Sequence, residues 1–159
     1  MDFKSVNKLF EASFRENRDR PAISNYQGAT LHYRDLARRI EKLHIMFDEG
    51  GLERGDKVAL CSRYQANWAV AFIATLTYGC VPVPLMHVFK PANVHHLVNH
   101  SESKALFVDD VIWESLSETE RPYCSCISIL PAGSKGRNGP GGIRQVHRIN
   151  ASGGEQGPS

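Results

Sequence analysis

The sequence predicts an α/β fold. It contains a partial parallel βαβαβ sheet flanked by helices, preceded by an N-terminal helix and hairpin and followed by a disordered C-terminal tail. Three observations carry this. Short apolar runs at residues 57–61, 80–85 and 105–108 are separated by two segments of helical periodicity. Strands alternating with helices in this way pair in parallel through right-handed crossovers. Ahead of them, two short runs flank Gln27-Gly28, as in a hairpin, and behind them eight of the 13 glycines fall after residue 130.

Taken in order, Phe3, Val6, Leu9 or Phe10, and Phe14 recur at three- and four-residue intervals, so the chain opens with an amphipathic helix that docks on the body. Arg18-Asp19-Arg20-Pro21 ends it, and the hairpin follows. Residues 33–49 give the clearest helix: Leu36, Ile40, Leu43 and Phe47 line one face, while Arg38, Arg39, Glu41 and Lys42 lie on the other. Gly50-Gly51 stops it. After the first sheet strand, Trp68, Ala69, Phe72, Ile73 and Leu76 are expected to form the buried face of a crossover helix that ends at Gly79. The second crossover begins at Pro91, suited to a first helical turn, with Val94 and Leu97 as its buried side. Asp109-Asp110 caps a last short helix through Leu116.

The 159-residue chain carries a net charge of +2, but the charge is unevenly placed. Residues 1–120 hold 14 Lys and Arg against 16 Asp and Glu, whereas residues 121–159 hold 5 against 1. A body so nearly neutral gives no reason to expect nucleic acid or an anionic membrane as a partner. The longest apolar run, residues 68–76, is far short of the roughly 20 residues that span a bilayer. The first residues lack the apolar core of a secretory signal, so a cytoplasmic protein is expected. Cys61 and Cys80 then read as small buried apolar residues, and Cys124-Ser125-Cys126 lacks the further ligands of a metal site.

Three stretches say more than fold class. Thr30-Leu31-His32-Tyr33-Arg34-Asp35-Leu36 resembles the Leu-(Thr/Ser)-Tyr-x-Glu-Leu motif near the start of AMP-forming acyl-CoA synthetases and their adenylating relatives. Gly51-Leu52-Glu53-Arg54-Gly55-Asp56-Lys57-Val58-Ala59-Leu60 is similar to that family's turn into "Gly-Asp-x-Val-Ala". Leu76 to Leu85, with Gly79, Val83 and Pro84, is similar to its Leu-x-x-Gly-x-x-x-Val-Pro element. The order and spacing also match over residues 3–116, with a general flavour closest to the long-chain fatty acid ligases. One departure is physical: His32 and Asp35 stand where the family's Thr or Ser and Glu make a capping box, and imidazole is a poorer N-cap.

The resemblance implies ATP, Mg2+ and coenzyme A for a full-length member, and a fatty acid as substrate. The chemistry needs a Ser/Thr/Gly-rich loop ending in Lys to cradle phosphates, an acidic residue on the ribose, and a mobile C-terminal domain with a lysine. None has a counterpart here. Gly133-Ser134-Lys135 lacks the repeated hydroxyls, the preceding strand and the following helix. No catalytic, cofactor-binding or metal-binding residue is therefore assigned, and no cofactor is expected for this chain alone.

Two clusters tempt. His96 and His100 lie four apart beside His95 and near His87, as zinc ligands do, but a third ligand and a general base are missing, which favours a surface or packing role. Asp109-Asp110 sits just past a parallel strand, where α/β sheets place ligand groups, yet helix capping explains it more simply. The sequence thus reads as residues 1–120, the N-terminal part of an AMP-binding large domain, joined to residues 121–159, a Gly-rich basic tail expected to be disordered and out of frame in a truncated or frameshifted gene. The alternative is a small non-catalytic α/β binding or interaction module. In either case an exposed sheet edge invites self-association.

Overall fold

The computed structural model describes residues 3–25, 28–122, 124, 126–130 and 144–148. Helix α1 (Phe3–Glu16) leads into an antiparallel hairpin, β1 (Pro21–Ser24) and β2 (Thr30–His32), and then into α2 (Tyr33–Glu49). The sheet follows: β3 (Lys57–Cys61), α3 (Ala66–Tyr78), β4 (Val81–Leu85), α4 (Pro91–His100) and β5 (Ala105–Asp109). A short α5 (Asp110–Ser115) and a 3-10 turn (Glu118–Glu120) precede β6 (Cys126–Leu130) and β7 (Arg144–Arg148). The strand order is β4-β3-β5-β6-β7, with the first four parallel and β7 antiparallel to β6.

The predicted α2 stripe holds. Leu36, Ile40, Leu43 and Phe47 are its buried residues, and Phe47 meets Tyr78 and Phe107 edge-on at centroid distances of 5.3 and 5.8 Å. At its start the Asp35 carboxylate accepts the His32 N–H at 3.1 Å, so one half of the capping interaction survives the family departure. That hydrogen bond also holds the Asp35 carboxyl below the usual carboxylate range. In α1, Phe14 packs 5.7 Å from Tyr33, and of the two alternatives Phe10 is the partly buried one, 5.8 Å from Phe14, whereas Leu9 is exposed.

Because successive strand residues face opposite sides, the sheet divides two cores between alternate positions. Val58, Leu60, Ala105 and Phe107 face α2 and α3; Ala59, Cys61, Leu106, Val108 and Ile127 face Val94, Val98, Trp113 and Leu116. Each fully buried Val, Leu or Phe contributes roughly 1.5–3 kcal/mol, so these two layers hold the fold together. Gly79 closes α3 at φ +92°, a conformation that favours glycine, and a Cβ there would meet Arg54 Cγ at 3.0 Å.

Three expectations need correction. The sheet-facing stripe of α3 is Ala66, Val70, Ala71, Ala74 and Thr75, not Trp68, Ala69, Phe72, Ile73 and Leu76, which are only partly buried. Small residues let the helix lie close to the sheet, and the larger ones flank that contact, with Trp68 and Phe72 stacked at 5.2 Å. In α4 the buried pair is Val94 and Val98, one turn apart, while Leu97 is half-buried. The third correction concerns the tail. Cys126–Leu130 is a fourth parallel strand, paired Leu106 to Ile127 and Val108 to Ile129, and Arg144–Arg148 pairs back on it. Ile127 fills the second core and Ser128 is buried beside Met46, 3.7 Å from its sulfur, so this strand completes layers that β5 leaves open. Of the rest of the predicted tail only Arg121, Pro122 and Cys124 are among the described residues.

Candidate functional site

The chain leaves β3 toward β4 on one side and crosses back over it to β5 on the other. The carboxyl ends of β3 and β5 therefore flank the switch in direction, the place where open α/β sheets bind ligands. The residues there are Cys61-Ser62-Arg63 from β3 and Asp109 from β5.

Their own bonds fill the place. Asp109 Oδ2 accepts both the backbone N–H and the Nε–H of Arg63, each at 3.3 Å, while Oδ1 accepts the Ile112 N–H at 2.9 Å and caps α5. Its side chain is 1 % exposed and that of Arg63 is 51 % exposed, so the anion is inside and the cation reaches out to it. The buried Ser62 hydroxyl donates to Arg63 O at 3.1 Å and accepts from Gln65 Nε2 at 3.4 Å. Across the loop, Asn25 Oδ1 accepts the Ala66 N–H at 2.8 Å. A guanidinium and a helix N-terminus are the usual anion-binding resources of such a crevice, and here protein groups engage both. Burial, reinforced by the Asp109 charge, pushes the Cys61 thiol up to about 11, which leaves it protonated and a poor nucleophile at neutral pH.

The other ends of the same strands are joined differently. Lys104 Nζ lies 3.0 Å from Asp56 Oδ2, and the Lys104 N–H donates to Lys57 O at 2.9 Å. The hydrogen bond to Asp56 raises the Lys104 pKa. Burial chiefly, with Asp56 adding to it, pushes the Cys80 thiol up to about 11.

The sequence candidates separate clearly. Asp109 caps α5 as expected, and Asp110 Oδ1 accepts the Val111 N–H at 2.9 Å. The histidines do not converge: His96 and His100 stack at 5.7 Å, His95 is bonded to Asn99 at 3.1 Å, and His87 lies 6.4 Å from Tyr64. Among the described residues no group of three or more His, Cys, Asp or Glu could hold a metal ion. Cys124 is buried and its thiol donates to Ser103 O at 3.3 Å, a packing role; Gly133-Ser134-Lys135 lies outside the described residues. Sequence reasoning missed Arg63 and Asn25, because their partners are 46 and 41 residues away.

Among the described residues, the strand ends do not fit a bound nucleoside triphosphate and its Mg2+. The loop after β3 is Ser62-Arg63-Tyr64-Gln65 and β5 runs directly into α5, so neither offers glycines and repeated hydroxyls around a phosphate. No described helix is long and apolar enough to cross a membrane.

Comparison with known proteins places these residues in a larger frame. The profile of the family described as AMP-binding enzyme matches residues 10–140. A long-chain-fatty-acid–CoA ligase of Escherichia coli O6:H1 is 28 % identical over 107 residues, covering 67 % of this chain and 19 % of that protein. The crystal structure of a long-chain-fatty-acid–CoA ligase from Archaeoglobus fulgidus superposes with a TM-score of 0.68 at 18 % identity, covering 82 % of this chain and 28 % of that one. A benzoate CoA ligase from Burkholderia xenovorans gives a TM-score of 0.66 at 18 % identity, covering 83 % and 26 %. The chain thus spans about a fifth of the length of the curated fatty-acid ligases it matches.

Proposed function

The chain belongs to the AMP-binding enzyme family, and from that membership we propose that it forms the N-terminal part of the large domain of an AMP-forming ligase that joins a fatty acid to coenzyme A. In that reaction the acid's carboxylate attacks the α-phosphate of ATP, giving an acyl adenylate and pyrophosphate. The coenzyme A thiol then displaces AMP to give the thioester. The observation that carries the reading is the coincidence of three motifs, at residues 30–36, 51–60 and 76–85, with the hairpin, the turn into β3 and the α3–β4 junction of a parallel sheet.

Within this reading the chain's residues supply a scaffold, and ATP, Mg2+ and coenzyme A are held by other parts of a full-length member. The Arg63–Asp109 pair and the Asn25 cap support this, since they close the crevice at the strand ends with protein groups. We place such a protein in the cytoplasm, where its soluble cosubstrates are found. The test is pyrophosphate release from ATP with a panel of fatty acids. The purified chain is expected to release none, and acid-dependent release would overturn the assignment of a scaffold role.

One observation favours a second reading, a non-catalytic interaction module. Tyr64, 75 % exposed, packs edge-on against Trp68 at 5.1 Å, and Trp68 stacks on Phe72, so an aromatic row reaches the surface near exposed Met86 and Val88. Burying such a row is a common basis of association. We propose this face as the contact in any self-association. Sedimentation velocity on Tyr64→Ser checks it: a lower association constant supports this face, and an unchanged one removes it.

A further inference from the structure

β4 is the outer strand of the sheet. β3 pairs with it on one side, and among the described residues no strand pairs with it on the other. Within a strand each residue points its N–H and C=O to the same side, and successive residues point opposite ways. Val81 donates its N–H to Asp56 O at 2.8 Å, so positions 81, 83 and 85 face β3 while 82 and 84 face outward. Both outward positions are proline, which has no N–H to offer. The next outward position, Cys80, gives its N–H to Thr75 O at 3.1 Å in the cap of α3. Three successive outward donors are therefore missing or engaged.

We infer that β4 is a sheet edge closed to strand addition, so that neither a second copy of this chain nor an extended peptide can lengthen the sheet on that side. Proteins blunt exposed edges with charge, bulges, covering elements or proline. Residues 80–86 carry no charge, and the β3–β4 register runs without a bulge from Lys57 and Val81 to Cys61 and Leu85. Val81 is 42 % exposed, so the strand is not covered either. Proline alone closes this edge. Without it, Cys80, Val81, Val83, Leu85 and Met86 would belong to a seven-residue apolar run with the composition of a strand-stacking segment. Association of this chain is directed instead to side-chain faces or to the opposite end of the sheet.

The test is Pro82→Val/Pro84→Val, followed by sedimentation velocity and amide exchange over a range of concentrations. The double variant is expected to keep the wild-type circular dichroism at low concentration and to associate at least tenfold more tightly than wild type. The two restored amides should exchange quickly in the dilute protein and become protected as it associates. If the double variant does not fold, Pro84→Val alone, at the more exposed site, is expected to show the same protection with weaker association. Folded variants that sediment as wild type does, or that associate while those amides stay unprotected, would overturn the inference.

Discussion

The two ends of the β3–β5 seam are both held by an ion pair, but the pairs differ in burial. At the carboxyl end Asp109 is enclosed, gripped by Arg63 and by the first turn of α5. At the amino end Lys104 and Asp56 meet with side chains 49 % and 18 % exposed. Water screens an exposed pair and can replace either partner, whereas a buried carboxylate that loses its partners keeps its desolvation penalty. The carboxyl end is also where sheets of this kind hold ligands, so the stronger tie sits where the ligand crevice would be.

The largest effect is expected from Asp109→Ala. It removes a helix cap worth about 1 kcal/mol and takes the acceptor from the Arg63 and Ile112 N–H groups, for a total of about 2–4 kcal/mol, while the half-exposed Arg63 side chain turns to water. A urea unfolding midpoint measures it. Asp109→Asn keeps an acceptor for the Ile112 N–H but loses the charge, and should fall between Asp109→Ala and wild type. If Asp109→Ala costs no more than a surface substitution, the seam's two ends are equivalent and the comparison fails.

A half-buried group lies between these extremes. His44 Nε2 on α2 is 3.1 Å from Ala74 O and 2.9 Å from Thr77 Oγ1 on α3. The Thr77 hydroxyl already donates to Ile73 O at 2.8 Å, so the imidazole N–H is the donor in this contact. Burial lowers its pKa below the ordinary 6.5, only partly offset by the bond to Ala74. Between the lowered value and 6.5 the unfolded chain binds more protons than the folded one, so stability falls as pH drops through that window. The urea midpoint of wild type should decrease from about pH 7.5 to about pH 5, and His44→Gln should flatten the slope.

The smallest effect is expected from Lys104→Ala at the open end. Its midpoint should shift only slightly in low salt, and the difference from wild type should vanish in high salt, because screening weakens surface pairs. A shift that persists in high salt would show that this end is tied by more than an exposed pair.

Much of this molecule was legible in its sequence, for local reasons. Leu36, Ile40, Leu43 and Phe47 declare the face of α2 by spacing, and Gly79 declares the stop of α3 by conformation. The α3 stripe was misread because size and burial were treated as one property. The large Trp68 and Phe72 drew attention from Ala71 and Ala74, whose smallness lets the helix approach the sheet. The strand at Cys126–Leu130 was hidden by the glycine-rich stretch that follows it, since Ile127 is informative only once β5 supplies a neighbour. The site was the least legible part. Asp109 could be read as a cap, but nothing local announces that Arg63 reaches it from the end of another strand.

This chain carries an N-terminal part of the AMP-binding enzyme fold whose described strand ends are closed by its own side chains. Isothermal titration of the purified chain with ATP and Mg2+ tests it most directly. No saturable heat is expected at any concentration of nucleotide a cell would hold; saturable binding at one site per chain would contradict it.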